Sequence, residues 1–291
     1  MSVAEFAPAK VNLALHVLGR RPDGYHRLDT LVAFPAEIGD RVEVEAGNGL
    51  ALTLDGPFAD DIPADGSNLA VRAAHRLADL ARQRGRGDQG AEIRLTKRVP
   101  PASGIGGGSA DAAATLRALN RLWDLGLPVA RLAELTADLG ADLPLCVASI
   151  TRRAGGTGDE VIADPVMPEM GIVLVNPGLP LATARVFAAL DGADNAALTD
   201  PPSPGASRAD WLGWLGSCRN DLEAPARRLI PAIDDCRAAL AGLQDCRLVR
   251  MSGAGATCFG LFDDGAVAES AAGRLREIRP DWWIAAGSIG A

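Results

Sequence analysis

The stretch 100–120, PPASGIGGGSADAAATLRALN, restricts the chain more than any other. Gly104, Gly106, Gly107 and Gly108 fall within five positions, Ser109 follows, and an alanine run carries Leu116 and Leu119 at helical spacing. The run AEIRLTKRVP ahead of it reads as a strand, so the order is strand, glycine loop, helix. Glycines reach backbone angles closed to other residues and let amides approach a ligand with no Cβ in the way. The following helix, expected over 109–124, aims unpaired N–H groups and the positive end of its dipole at the same place. That combination predicts an anion site, with phosphate the usual anion. A β-branched residue at Gly107, expected at positive φ, should destroy it. Read alone, the glycine triplet also fits a flexible turn before a helix.

The loop is not a Walker A loop, because Gly108 is followed by Ser109-Ala110-Asp111 and not by Lys-Ser/Thr. Nor is it a dinucleotide fingerprint, since G-x-G-x-x-G begun at Gly104 would need glycine where Ser109 stands. A loop without its own lysine must find a cation elsewhere. Of the 29 basic residues only Lys10 and Lys97 are lysine. Lys10, between Ala9 and Val11, invites a reason, because a compact ammonium fits where a planar guanidinium does not.

The remaining composition narrows the classes. At 291 residues, 48% of them hydrophobic, the chain has room for two domains and is not disordered. A net charge of −8 without a basic run argues against a nucleic-acid partner, while leaving a local phosphate site possible. Five scattered cysteines, with no close pair, suggest a reducing compartment. The N-terminal run lacks a basic start and a long apolar core, and no apolar run reaches about 18 residues. The expectation is no signal peptide, no membrane partner and a cytoplasmic location.

In chain order, residues 4–19 alternate as one strand with Lys10 and Asn12 on one face. Arg20 to Gly24 is a turn, followed by Tyr25, His26 and a strand through Arg27 to Ala36. Taken singly, a tyrosine after a turn and a lone histidine are more often packing residues than ligand contacts. Asp40–Ala46 and Gly49–Asp55 are strands joined by Gly-Asn-Gly, a hairpin signal. Asn68 caps a helix to about Arg84. After the glycine loop a helix over 130–139 stops at Gly140. Asp142 is then either the N-cap of the next turn or a half-buried carboxylate facing a site. A glycine-rich turn at 153–159 sits in a hairpin. DPVMPEM, 164–170, reads as a linker, dividing the chain into domains 1–163 and 164–291. The second half reads strand, helices, two strands, helix, strand, an α+β layout, with 191–208 as a mobile loop.

Lys10, the glycine loop, Asp142 and the glycine turn at 253–255 together suit phosphoryl transfer. That chemistry asks for backbone donors and cations on phosphate, a base for the attacking hydroxyl, and alignment. In sequence order, APAKVNLALHVLGRRPDGYH, PPASGIGGGSADAAATL and MSGAGATCFG resemble the three spaced motifs of the GHMP small-molecule kinases, among them galactokinase, homoserine kinase and mevalonate kinase. The run through Gly24-Tyr25-His26, with Gly140 to Pro144, Asn176-Pro177-Gly178 and Asn220-Asp221-Leu222-Glu223, resembles members whose acceptor is a methylerythritol unit bearing a cytidine diphosphate group, in isoprenoid precursor biosynthesis.

The resemblance spans nearly the whole chain. It implies the two-domain GHMP kinase fold, α+β, with an N-terminal domain like ribosomal protein S5 domain 2 and a ferredoxin-like C-terminal domain. It implies Lys10 and Asp142 as the catalytic pair. Pro100, Pro101, Ala102, Ser103, Gly104, Ile105, Gly106, Gly107, Gly108, Ser109 and Ala110 would wrap the phosphates of ATP, the phosphoryl donor. Tyr25 and Phe187 would sandwich the cytosine ring, His26 would bond its edge, and Asn12 would face the methylerythritol portion. Many members carry Ser-Ser where this chain has Ser109-Ala110, so Mg2+ is expected to come with ATP and no protein ligand for it is assigned. The chain would act as a monomer or homodimer. Two alternatives stay open: another GHMP kinase of homoserine or mevalonate type, and a nucleotide-binding regulator without catalysis.

Overall fold

The computed structural model describes residues 2–136, 138–192 and 194–290. Its strands are β1 (Ser2–Pro8), β2 (Val11–Arg20), β3 (His26–Ala33), β4 (Gly39–Ala46), β5 (Leu50–Asp55), β6 (Ala91–Thr96), β7 (Arg152–Gly155), β8 (Glu160–Ala163), β9 (Met170–Asn176), β10 (Leu248–Met251), β11 (Cys258–Phe262) and β12 (Trp283–Ile289). Its helices are α1 (Leu69–Gln83), α2 (Gly107–Leu122), α3 (Val129–Glu134), α4 (Leu143–Ala148), α5 (Thr183–Ala188), α6 (Arg208–Ser217), α7 (Glu223–Leu229), α8 (Ala232–Ala241) and α9 (Gly265–Ile278). They form two compact units that interleave along the chain. One holds Met1–Ala9, Gly39–Pro101 and Gly106–Ser149; the other holds Lys10–Ile38, Ala102–Ile105 and Ile150–Ala291.

The first unit is a four-stranded sheet in the order β1-β4-β6-β5 with α1 to α4. Asn68 caps α1 as expected, its side chain accepting from the Ala70 N–H at 2.9 Å. α1 buries Ala70, Ala73, Ala74 and Leu77 and packs on α2, which lies on β1 and β4. Alanines 112, 113, 114 and 118 on α2 are buried, and their short side chains permit close approach. The helix expected over 130–139 is α3, shorter at its end; Ala137 lies outside the described residues.

The hairpin expected across Gly47-Asn48-Gly49 does not form. β6 inserts between β4 and β5, antiparallel to the first and parallel to the second. The Gly47 N–H donates to the Gly90 carbonyl and the Ala91 N–H to the Gly49 carbonyl, at 3.3 and 2.7 Å. Residues entering β6 thus take the backbone groups that a two-stranded hairpin would have paired.

The second unit contains two antiparallel sheets, β2-β3-β7-β8 and β10-β11-β9-β12. Numbered in chain order, the strands of the latter lie 4-1-3-2, the ferredoxin-like order. Its core combines Val173 and Val175 of β9, Phe262 of β11, Leu240 of α8 and Leu275 of α9 with Leu15 and Val17 of β2. The hairpin expected around 153–159 is present as β7 and β8.

Two further expectations are corrected. The single strand over 4–19 is two strands in two sheets, broken at Ala9 and Lys10. Alternation of apolar residues continues across the break, so the pattern could not reveal it; Lys10 lies on neither strand. The described residues of 191–207 form no helix or strand and α6 begins at Arg208, but the middle of the segment is tied down. Asn195 donates its backbone N–H and its Nδ2 to the Val17 carbonyl, at 3.2 and 3.1 Å. The Leu198 N–H donates to Asp29 at 2.9 Å, and Arg153, paired with Asp29, donates to the Leu198 carbonyl at 2.7 Å. His16 accepts the Arg219 N–H at Nε2, so Nδ1 carries the proton donated to the Ala196 carbonyl at 2.9 Å. Burial lowers the His16 pKa, which favours that neutral form. Composition reported a polar segment but not the buried partners waiting for its backbone. Ala193 of this loop lies outside the described residues.

Candidate active site

The glycine loop begins where β6 ends. Lys97, 1% exposed, places its ammonium between Asp40 and Asp111, the latter at 2.9 Å. The second oxygen of Asp40 accepts the N–H groups of Arg98 and Val99 at 2.5 and 2.9 Å. Desolvation works against the charged lysine, but the two carboxylates outweigh it and its pKa is raised. Burial pushes the Asp111 carboxyl up to about 8, against the pull of Lys97. This triad ties the end of β6 to the start of α2.

α2 starts at Gly107, with Gly106 as a left-handed N-cap at φ 64°. The positive φ expected at Gly107 is therefore found at Gly104 and Gly106 instead. Gly107 is already helical, and its lack of a side chain serves the triad: a Cβ there would come 3.0 Å from the Lys97 Nζ. Gly104 has φ 79°, and a Cβ on it would sit 2.7 Å from the Gly255 nitrogen and 2.8 Å from the Ser252 carbonyl. Backbone therefore packs directly on backbone at this point.

Three hydrogen bonds hold the tip of the loop within the second unit. The Lys10 N–H donates to the Ile105 carbonyl at 2.8 Å and the Thr257 N–H to the Ser103 carbonyl at 3.2 Å. The Ser252 hydroxyl donates to the Gly104 carbonyl at 3.1 Å. The structure thus brings Lys10, the loop tip and the 253–255 turn together. Lys10 itself is buried. Asn12 is also buried, donating its backbone N–H to the Ser252 Oγ at 3.0 Å and its Nδ2 to the Thr30 Oγ1 at 2.8 Å. Its Oδ1 is buried with no hydrogen-bond partner among the described residues.

Tyr25 follows a turn held by its own residues: the Gly24 N–H donates to the Arg21 carbonyl, and Asp23 accepts the Tyr25 N–H and pairs with Arg21. Tyr25 is 67% exposed. His26 stacks on Phe187 with ring centroids 4.9 Å apart and planes 20° from parallel. Burial lowers the His26 pKa, with nearby Arg20 adding to it, so the ring is held toward its neutral form. The ring against Phe187 is thus His26, with Tyr25 beside it in sequence and open to solvent.

Asp142 occupies the N-cap position of α4, half-buried, and its side chain makes no cap hydrogen bond. It shares the first unit with Pro100, Pro101 and 106–110, whereas Lys10, Asn12, Tyr25, His26, Phe187 and 102–105 belong to the second. Ser109 lies in the first turn of α2, and Ala110 is buried. Sequence reading missed Asp40, Asp111 and Ser252. Lys97, as one of only two lysines, was the available signal for the first two.

A family model described as GHMP kinases N terminal domain matches residues 68–149, and one described as GHMP kinases C terminal matches 209–280. The chain is 47% identical over 281 residues to 4-diphosphocytidyl-2-C-methyl-D-erythritol kinase of Paramagnetospirillum magneticum, covering 96% of this chain and 95% of that one. It is similar to a crystal structure of 4-(cytidine 5'-diphospho)-2C-methyl-D-erythritol kinase, with a TM-score of 0.79, 35% identity and 99% of each chain covered. A homoserine kinase structure from Cytophaga hutchinsonii shares the fold at a TM-score of 0.70 and 20% identity, covering 99% of this chain and 95% of that one.

Proposed function

The chain belongs to the GHMP kinase family, and on that premise we propose how its residues divide the work of phosphoryl transfer. The reaction moves a phosphoryl group from ATP to the 2-hydroxyl of 4-diphosphocytidyl-2-C-methyl-D-erythritol, in the methylerythritol phosphate pathway. The observation that carries this reading is full-length identity of 47% to a kinase of that name. The distant homoserine kinase likeness carries the fold alone.

Residues 100–110 cradle the ATP phosphates. The loop geometry supports this: two left-handed glycines precede a 16-residue helix whose first amides are free of side-chain caps. Donors fixed before substrate arrives need no reorganisation during transfer. Mg2+ enters on ATP as part of the donor substrate. Asp142 takes the proton of the attacking hydroxyl, and the Lys10 ammonium offsets charge on the reacting oxygen.

On the acceptor side, Asn12 offers its unpartnered Oδ1 to a hydroxyl of the methylerythritol unit. Tyr25 and Phe187 contribute aromatic faces for the cytosine, with the neutral His26 ring bonding its edge. A division of the sequence into 1–163 and 164–291 is supported by the two family matches, which fall on either side of it, whereas the compact units interleave across it, with 10–38, 102–105 and 150–163 in the second. Five cysteines scattered through the sequence with no close pair fit a reducing, cytoplasmic setting.

The test is ADP release measured with the cytidyl-methylerythritol acceptor, mevalonate and homoserine. Turnover is expected with the first alone, and turnover with either of the others overturns the assignment. Asp142→Asn should lower kcat by about two orders of magnitude or more while ATP binding is retained. Near-normal turnover in that variant removes Asp142 from the mechanism.

A further inference from the structure

Asn220 is buried, and nothing in the transfer chemistry accounts for it. Its Nδ2 donates to the carbonyls of Met251 and Gly253, both at 2.8 Å, and its Oδ1 accepts the Leu222 N–H at 3.0 Å. Those two carbonyls flank Ser252. The Ser252 hydroxyl in turn accepts the Asn12 N–H and donates to the Gly104 carbonyl.

The same short segment holds β2. The Leu15 N–H donates to the Arg219 carbonyl at 2.8 Å, and the Asp221 N–H donates to the Leu15 carbonyl at 2.9 Å. Asp221 also accepts the Val17 N–H at 2.8 Å. One stretch of chain therefore fixes both the strand that follows Lys10 and the turn on which the loop tip rests.

We propose that Asn220 is a positioning residue for phosphoryl transfer. It holds the Ser252 turn at the height that supports Gly104, and so sets the loop tip against Lys10 and Asn12. The amide suits the task because both of its protons are directed at carbonyl oxygens while its own oxygen accepts. A carboxylate of the same shape would face those oxygens with no proton to give. This inference rests on the reading that residues 100–110 cradle the ATP phosphates.

The test uses the full chain with ATP and the acceptor. Asn220→Asp should raise the KM for ATP by roughly tenfold or more, from the loss of buried hydrogen bonds, with a much smaller change in the KM for the acceptor. Relative to the unaltered chain at the same pH, its kcat/KM for ATP should recover as pH falls, because a protonated carboxyl again donates one bond. Ser252→Ala should raise the KM for ATP in the same sense, and the double variant should be no worse than Asn220→Asp alone. An unchanged KM for ATP overturns the proposal. So does an equal rise in both KM values with lowered thermal stability and no recovery at low pH, which would make Asn220 merely structural. If Asn220→Asp does not fold, Ser252→Ala decides, a raised KM for ATP supporting the proposal and an unchanged one ending it. Gly106→Val separates the two readings. If it loses ATP while Asn220→Asp keeps it, the positioning role falls and the cradle stands; if it too keeps ATP, the cradle falls and the proposal with it.

Discussion

The glycine loop and the turn before Tyr25 are both sharp, glycine-marked bends, and they are held in opposite ways. The loop is fixed largely by residues remote in sequence: Asp40, which holds the flanking Lys97 and the Val99 N–H at its entry, and Ser252 and Thr257 at its tip. The turn is held by Arg21, Asp23 and Gly24, its own members, and leaves Tyr25 exposed. A structure held by many distant partners is over-determined and can keep backbone strain and aligned donors in place. One held by its own residues opens and closes at little cost. The difference suits the two roles proposed above: fixed donors for a charged group in reaction, and an aromatic face for a base.

Substitutions can break that contrast, and the largest effect on stability is expected at Lys97. Lys97→Met leaves Asp40 and Asp111 buried without their cation, which should cost about 3–5 kcal/mol in denaturant unfolding. A loss below about 1 kcal/mol, the range of exposed pairs, would mean that the triad does not anchor the loop. Gly106→Val comes next. A branched side chain at a left-handed position should cost roughly 1–2 kcal/mol and remove ATP binding measured by calorimetry, and normal binding would show that the cradle tolerates another conformation. Tyr25→Ala is expected to have the smallest effect on unfolding, within about 0.5 kcal/mol as for exposed sites. It should still weaken the acceptor by about 1–3 kcal/mol, the range for base stacking. A large drop in stability with unchanged acceptor KM would place Tyr25 in the core and erase the contrast.

Particular residues show what sequence could and could not reveal. The loop was legible because its signal is local: glycines, then a helix start, within a few positions. Asn68 as a cap and the 153–159 hairpin were legible for the same reason. Gly47-Asn48-Gly49 carried an equally local signal and misled, because β6, more than forty residues later, took the pairing. Gly107, expected at positive φ, is instead helical, and a Cβ there would come 3.0 Å from the buried Lys97 ammonium. The 191–208 segment looked mobile because its partners, Asp29, Arg153 and His16, lie elsewhere in the chain.

By itself, the sequence determined the strand-loop-helix, the absence of a lysine in that loop, and the spaced motifs that carry the family. These depend on neighbours within a turn or two, or on residue identity alone. The tertiary structure decided which strand pairs with which, that the chain crosses between sheets at Lys10, that Lys97 bridges Asp40 and Asp111, and that the Ser252 hydroxyl bonds the Gly104 carbonyl while Asn220 bonds the carbonyls on either side of Ser252. Those outcomes depend on competition among distant groups for the same buried hydrogen bonds. The pairing that leaves the fewest of them unsatisfied prevails over local preference.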